Sequence, residues 1–180
     1  MIPRITMSGM PAALAGMLRP KVERLGYLGE FFQCAANQPD ALRSFMQFTD
    51  DLKAALPDNL TELVALTVSA YMSNTYERHQ HERLCLKLGF SKDWIHQVLS
   101  LSAEPGGALK AEELLVHQLV LTVLETNGQG AGREIEAVVE AVGPKQAIAV
   151  LLLIGRYMTH AVLVNTLSLA PPVSSPLELE

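Results

Sequence analysis

Glu77 and His81 stand four residues apart in the run Asn74-Thr-Tyr-Glu-Arg-His-Gln-His81. On a helix that spacing puts an acid and an imidazole on one face, about 6 Å apart along the axis. A second carboxylate, Glu62, lies twelve residues before Asn74 inside an otherwise apolar run. If the chain turns at Ser73-Asn74, the flanking helices lie antiparallel. Glu62 then returns to within one helical turn, or one bridging water, of His81. Two carboxylates around a histidine suit proton transfer. One acid orients the ring, and two acids close together raise one of them into a useful range. An acid between Leu60-Thr61 and Leu63 also needs a partner if it is buried.

Each of these residues has a plainer reading. Asn74-x-x-Glu77 matches a capping box, with Asn74 accepting from the amide three residues on and Glu77 reaching back. Glu62, following Thr61, can be a surface residue in the first turn of its helix. His79 and His81 diverge by about 200° on a helix, so the HxH pair announces no metal, and none is expected. His96, His117 and His160 are isolated and read as satisfied core or surface residues. Cys85 shares the face of His81 and reads as a buried, inert thiol.

The elements that would carry these residues are helices. Leu14, Leu18, Val22 and Leu25 begin a helical stripe broken by Pro20; Leu28, Phe31, Phe32 and Ala35 continue it to Gln38-Pro39. Leu42, Phe45, Met46 and Leu52 mark a helix ending before Pro57, after which Asp58 or Thr61 is a candidate N-cap. Leu63 to Met72 is nearly all apolar and predicts a helix buried on most sides. A helix over 75–88 closes with Gly89 at its C-terminus. Ser91 caps a short helix carrying Trp94, Ile95, Val98 and Leu101, and Glu104-Pro105-Gly106-Gly107 is a loop. Helices over 110–126, 133–142 and 144–169 follow, the last with Pro144 in its first turn. No strand pattern occurs, so the expected fold is all-α, with a central antiparallel helix pair carrying the site.

A chain of 180 residues fits one domain over 1–170, followed by an extended tail over 171–180 with little to bury. Hydrophobic residues make up 49% and charged residues 18%. Such surplus apolar surface ends in subunit contacts, and a homo-oligomer is expected. The net charge of −5 is scattered, without a basic cluster. That argues against a nucleic-acid footprint or a polybasic membrane anchor. Cys34 and Cys85 give neither a CxxC motif nor a disulfide framework, and the expected setting is cytoplasmic. The first residues lack the continuous apolar stretch of a secretory signal. The longest apolar run, Ala147 to Gly155, is too short to span a bilayer and reads as core.

The run Leu60-Thr-Glu-Leu-Val-Ala-Leu-Thr-Val-Ser-Ala70, then Asn74-x-Tyr76-Glu77-x3-His81-x7-Gly89-Phe-Ser, resembles the carboxymuconolactone decarboxylase and alkylhydroperoxidase D (AhpD-like) superfamily. Leu153-Ile-Gly-Arg-Tyr157 with Asn165-x-Leu167 is similar to that family's last helix. Phe31, Pro39 and Phe45 also fit, so the resemblance covers about residues 25 to 170. It implies that Glu62 and His81 match a glutamate and histidine that relay protons. Alkylhydroperoxidase D members carry Cys-x-x-Cys where this chain has Asn74-Thr75-Tyr76-Glu77. Without those thiols a dithiol peroxidase mechanism is not available at this site.

The resemblance thus implies the decarboxylase branch: an acid/base enzyme without a cofactor, acting on a small organic acid or lactone. His81 is the expected acid/base, Glu77 its orienting partner and Glu62 the relay, with Asn74 and Tyr76 as candidate substrate contacts. An anionic substrate calls for a cation, and Arg78, Arg83 and Arg156 are the candidates. The competing expectations are an alkylhydroperoxidase-related protein that has lost the dithiol but uses Cys85 or Cys34, and a non-catalytic oligomeric binding protein. The expected assembly is a dimer, trimer or hexamer.

Overall fold

The computed structural model divides the chain into two compact units, Met1–Asp51 and Leu52–Glu180, and describes residues 2–177. Among the described residues the regular structure is helical throughout, without a strand. The all-α expectation holds.

The first unit contains a short 3-10 turn, α1 (Ala12–Leu25), α2 (Glu30–Ala35) and most of α3 (Pro39–Ala55). Leu14 and Leu18 of α1 are buried, and the Phe31 and Phe45 rings lie 5.8 Å apart. Pro20 does not break α1 as the sequence suggests. Pro20 and Gly16, whose carbonyl loses its partner there, are both exposed, so water can take the carbonyl.

The second unit holds the last turn of α3 and six further helices: α4 (Asp58–Tyr71), α5 (Thr75–Leu88), α6 (Lys92–Leu99), α7 (Ala111–Thr126), α8 (Gly132–Val142) and α9 (Pro144–Thr166). Helix α4 packs against α5, α6, α7 and α9. Every residue from Leu60 to Ser69 is buried, as its all-round apolar sequence requires. Leu63 and Leu66 are fully enclosed. Burying a side chain of this kind contributes about 1.5–3 kcal/mol. The helix begins at Asp58 after Pro57, with no side-chain cap. Glu62 therefore lies in the second turn, and only 2% of its surface is exposed.

Helices α4, α6 and α7 are tied together at Glu113. Its carboxylate accepts from Asn59 Nδ2 at 2.8 Å, Trp94 Nε1 at 3.2 Å and the Lys110 amide at 2.8 Å. Helix α5 opens on Asn74, whose side chain accepts from the Glu77 amide, and closes at Gly89 with φ +91°. Only glycine adopts that conformation readily.

Helix α9 extends far beyond the nine-residue apolar run seen in the sequence. At 23 residues, with mean hydropathy 1.9 over its apolar window, it is long and apolar enough to cross a membrane. It packs against α4 and α8, and 56% of that window is buried within the protein.

After α9, residues 171–177 carry no helix and lie against α5. Arg83 donates to the Ser174 carbonyl and hydroxyl, the His79 ring meets the Val173 carbonyl, and the Ser175 hydroxyl donates to Glu82. Ser175 is buried, so this part of the tail is docked although its sequence offers little to bury. Residues 178–180 of the expected tail lie outside the described residues.

Candidate active site

Glu62, Glu77 and His81 meet inside the second unit. His81 Nδ1 lies 2.6 Å from Glu62 Oε2, and His81 Nε2 lies 3.5 Å from Glu77 Oε2. The Glu62 contact is direct, with neither a bridging water nor a full turn to cover. One turn of α5 places Glu77 and His81 on the same face. The reversal at Ser73 (φ +54°) brings that face to α4.

The capping reading of Glu77 fails on geometry. Asn74 does cap α5, but its own amide donates to the Ser69 carbonyl at 2.7 Å. The Glu77 carboxylate turns inward instead. Its Oε1 takes Arg156 NH1 at 3.1 Å and His160 Nε2 at 3.1 Å. His160 Nδ1 faces the side-chain Nδ2 of Asn74 at 3.4 Å, so the ring carries its proton on Nε2 and donates it to Glu77. Tyr76 packs its ring 5.8 Å from that of His160. Asn74 and Tyr76, the candidate substrate contacts, thus both lie buried against His160.

Helix α9 supplies the far wall. Tyr157 Oη lies 3.3 Å from His81 Nε2, with the two rings edge to face. The Arg156 guanidinium sits 4.3 Å above the Tyr157 ring, a cation–π contact. The structure separates the three candidate cations. Arg83 is bound to Ser174, Arg78 pairs with Glu82 at 3.1 Å, and Arg156 alone of the three contacts the carboxylate site through Glu77.

The charges balance. Burial works against a charged His81, but the Glu62 and Glu77 carboxylates outweigh it and raise its pKa to about 9. The ring is an imidazolium at neutral pH. Burial likewise opposes ionisation of Glu62, and the charge and hydrogen bond of His81 overcome it, leaving its pKa lowered. Glu77 is held well below the usual carboxylate range, its burial outweighed by His160, His81 and Arg156. Burial keeps His160 neutral, with a pKa lowered to about 4 despite Glu77. At neutral pH Arg156 and the Nε2–H of a neutral His160 therefore hold the Glu77 charge. Two carboxylates, one imidazolium and one guanidinium sum to zero, which makes their joint burial tolerable.

Cys85 is the remaining polar neighbour. Its Sγ lies 3.8 Å from Glu62 Oε2, and burial together with that carboxylate pushes the thiol pKa far up. Cys34 is also buried, and burial raises its pKa too. Neither thiol has the lowered pKa of a redox nucleophile. Among the described residues no cluster has the arrangement of a metal site.

His160 and Tyr157 were missed as site residues in the sequence. Their signal was the face of α9 on which Leu153, Arg156, Tyr157 and His160 recur at helical spacing. Three polar side chains on the inner face of so apolar a helix require partners.

Residues 39–115 match the model of the carboxymuconolactone decarboxylase family. No curated protein matches the chain. Among solved structures, the alkylhydroperoxidase AhpD core of an uncharacterized peroxidase-related protein from Ralstonia eutropha JMP134 is similar. Its TM-score is 0.80 at 17% identity, covering 94% of this chain and 90% of that one. A protein of unknown function from Agrobacterium tumefaciens gives a TM-score of 0.68 at 17% identity, over 78% and 96% of the two chains. The debrominase Bmp8 in complex with 2,3,4-tribromopyrrole gives 0.78 at 12% identity, over 94% and 90%. The fold is that of the AhpD-like proteins. The stretch 39–115 thus carries the family match, and it holds Asn74-Thr75-Tyr76-Glu77 rather than a Cys-x-x-Cys pair.

Proposed function

We propose that this protein is a cofactor-independent acid/base enzyme of the carboxymuconolactone decarboxylase type, acting on a small carboxylate-bearing lactone or organic acid. The observation that carries the reading is the clamped imidazole ring: His81 lies between Glu62 and Glu77, and Arg156 pairs with Glu77. Arg156 is the group suited to hold the substrate carboxyl group or a neighbouring acid. Loss of carbon dioxide breaks one carbon–carbon bond and leaves its electron pair on the substrate as an enolate. His81 gives that carbon the proton from Nε2 while Glu62 keeps the Nδ1 proton in place, and water restores the lost proton. The high pKa of His81 makes it a proton donor at neutral pH, the role the enolate requires. A homo-oligomeric, cytoplasmic protein belongs to the same proposal. The buried, high-pKa thiols speak against the peroxidase alternative.

The test is release of carbon dioxide from a panel of lactone carboxylates and keto acids, with His81→Ala beside wild type. Turnover by the wild type and its loss in a folded His81→Ala protein support the assignment. Full turnover in that variant overturns it, as does a wild type inert toward the whole panel.

A further inference from the structure

The proposed proton transfer, on which this inference rests, takes His81 through two charge states, and the surrounding groups serve them unequally. Nδ1 is committed to Glu62 at 2.6 Å in both states. Nε2 carries a proton in the charged ring and a bare lone pair in the neutral one. Glu77 Oε2, at 3.5 Å from Nε2, is a carboxylate and only accepts. When His81 has given up its proton, a carboxylate facing that lone pair repels it. Tyr157 Oη, at 3.3 Å, belongs to a hydroxyl that donates as readily as it accepts.

We infer that Tyr157 is the positioning residue that lets His81 cycle between its charged and neutral forms. Its hydroxyl accepts from Nε2–H before proton transfer and donates to Nε2 afterwards. Tyr157 is 1% exposed, against 6% for His81 and 8% for Arg156, so its hydroxyl reaches Nε2 from the more enclosed side. The phenol keeps its proton throughout, because burial raises its pKa well above the ordinary value. Arg156 over the ring fixes its plane without using the hydroxyl. The other groups around His81 are Glu62 of α4, Glu77 and Cys85 of α5, and Arg156 and His160 of α9. Lys53 of α3 acts on Glu62. None of these neighbours needs to change its charge when His81 does.

The experiment is a proton and nitrogen NMR titration of His81 in the full chain, wild type against Tyr157→Phe. The phenylalanine keeps the ring beneath Arg156 and removes only the hydroxyl. The charged form then retains Glu77 as acceptor, whereas the neutral form loses its donor. The pKa should therefore rise by about one unit, the worth of one hydrogen bond. A pKa that is unchanged or lower overturns the inference. If the variant does not fold, wild type above pH 9 decides through its nitrogen shifts. The inference requires a neutral ring protonated on Nδ1 with a hydrogen-bonded Nε2, and a proton on Nε2 overturns it. The reading it rests on fails separately. A shifted pKa with no carbon dioxide released would leave Tyr157 in this role and remove the decarboxylase. Carbon dioxide release with an unmoved pKa would do the reverse.

Discussion

His81 and Glu62, nineteen residues apart in sequence, share the shortest polar contact of the site, 2.6 Å from Nδ1 to Oε2. The contact does two things at once. It fixes which ring nitrogen is left for chemistry, and with Glu77 it raises the proton affinity of the ring to a pKa of about 9 despite burial.

A Glu62→Gln variant should move the His81 pKa down from about 9 toward its ordinary 6.5, read by histidine NMR. The sign for stability follows. A pKa raised by folding contributes stability that is fully present below about pH 6.5 and is lost as pH rises through 9. The amount is about 3 kcal/mol. The lowered pKa values of Glu62 and Glu77 contribute in the opposite sense, with stability lost as pH falls below about 4.5. His160 and His117, whose pKa values burial lowers to about 4, add a loss that begins as pH falls below about 6.5, so urea midpoints should peak near pH 6.5 in wild type. In Glu62→Gln the alkaline fall should flatten. A midpoint that falls equally on the alkaline side in both proteins would contradict this account.

Glu77→Gln distinguishes a cap from a buried ion-pair partner. Glutamine preserves a capping box, so a capping role predicts little change. The structure predicts a loss of about 3–5 kcal/mol, because the substitution removes the charge of one member of the buried Glu77–Arg156 ion pair. The His81 pKa should fall in the same variant. Equilibrium unfolding and the histidine titration check the two effects independently.

Thiol chemistry should be silent in the folded protein. Cys34 and Cys85 are both buried, and burial raises both pKa values. A disulfide reagent should label them slowly in the native state and rapidly in urea. Peroxide should not consume either thiol faster in the folded than in the unfolded chain.

Glu113→Ala should destabilise the protein by about 3 kcal/mol, since it strands the buried Trp94 indole donor and removes the acceptor of the part-buried donors on Asn59 and Lys110. Trp94, the sole tryptophan, reports the change directly. Its emission should shift to the red in the variant before global unfolding begins.

Much of this was legible in the sequence because helical signals are local. Asn74 and Gly89 mark the ends of α5, Ser91 caps α6, and the apolar run after Leu60 announces a helix enclosed on all sides. The pair Glu77 and His81 could be read from one helical turn. The partners of that pair could not. Arg156 and His160 reach Glu77 across 79 and 83 positions of chain, and only tertiary packing aligns α9 with α5. Local preference also misled where two structures satisfy the same pattern. Asn74-x-x-Glu77 reads as a reciprocal cap, yet the Asn74 amide is taken by Ser69 and the carboxylate is released to the interior.

The docked segment after α9 has a consequence for the order in which this protein is made. Glu82 of α5 is buried, and its partner Ser175 is translated 93 residues later. Arg83 waits 91 residues for Ser174. On a ribosome adding about 5–20 residues per second, α5 spends several seconds with its outer face uncovered. The helix carrying the candidate proton donor is therefore among the first of the second unit to be synthesised and among the last to be completed. Maturation of the site should track the docking of Ser174 and Ser175 rather than emergence of the site residues themselves.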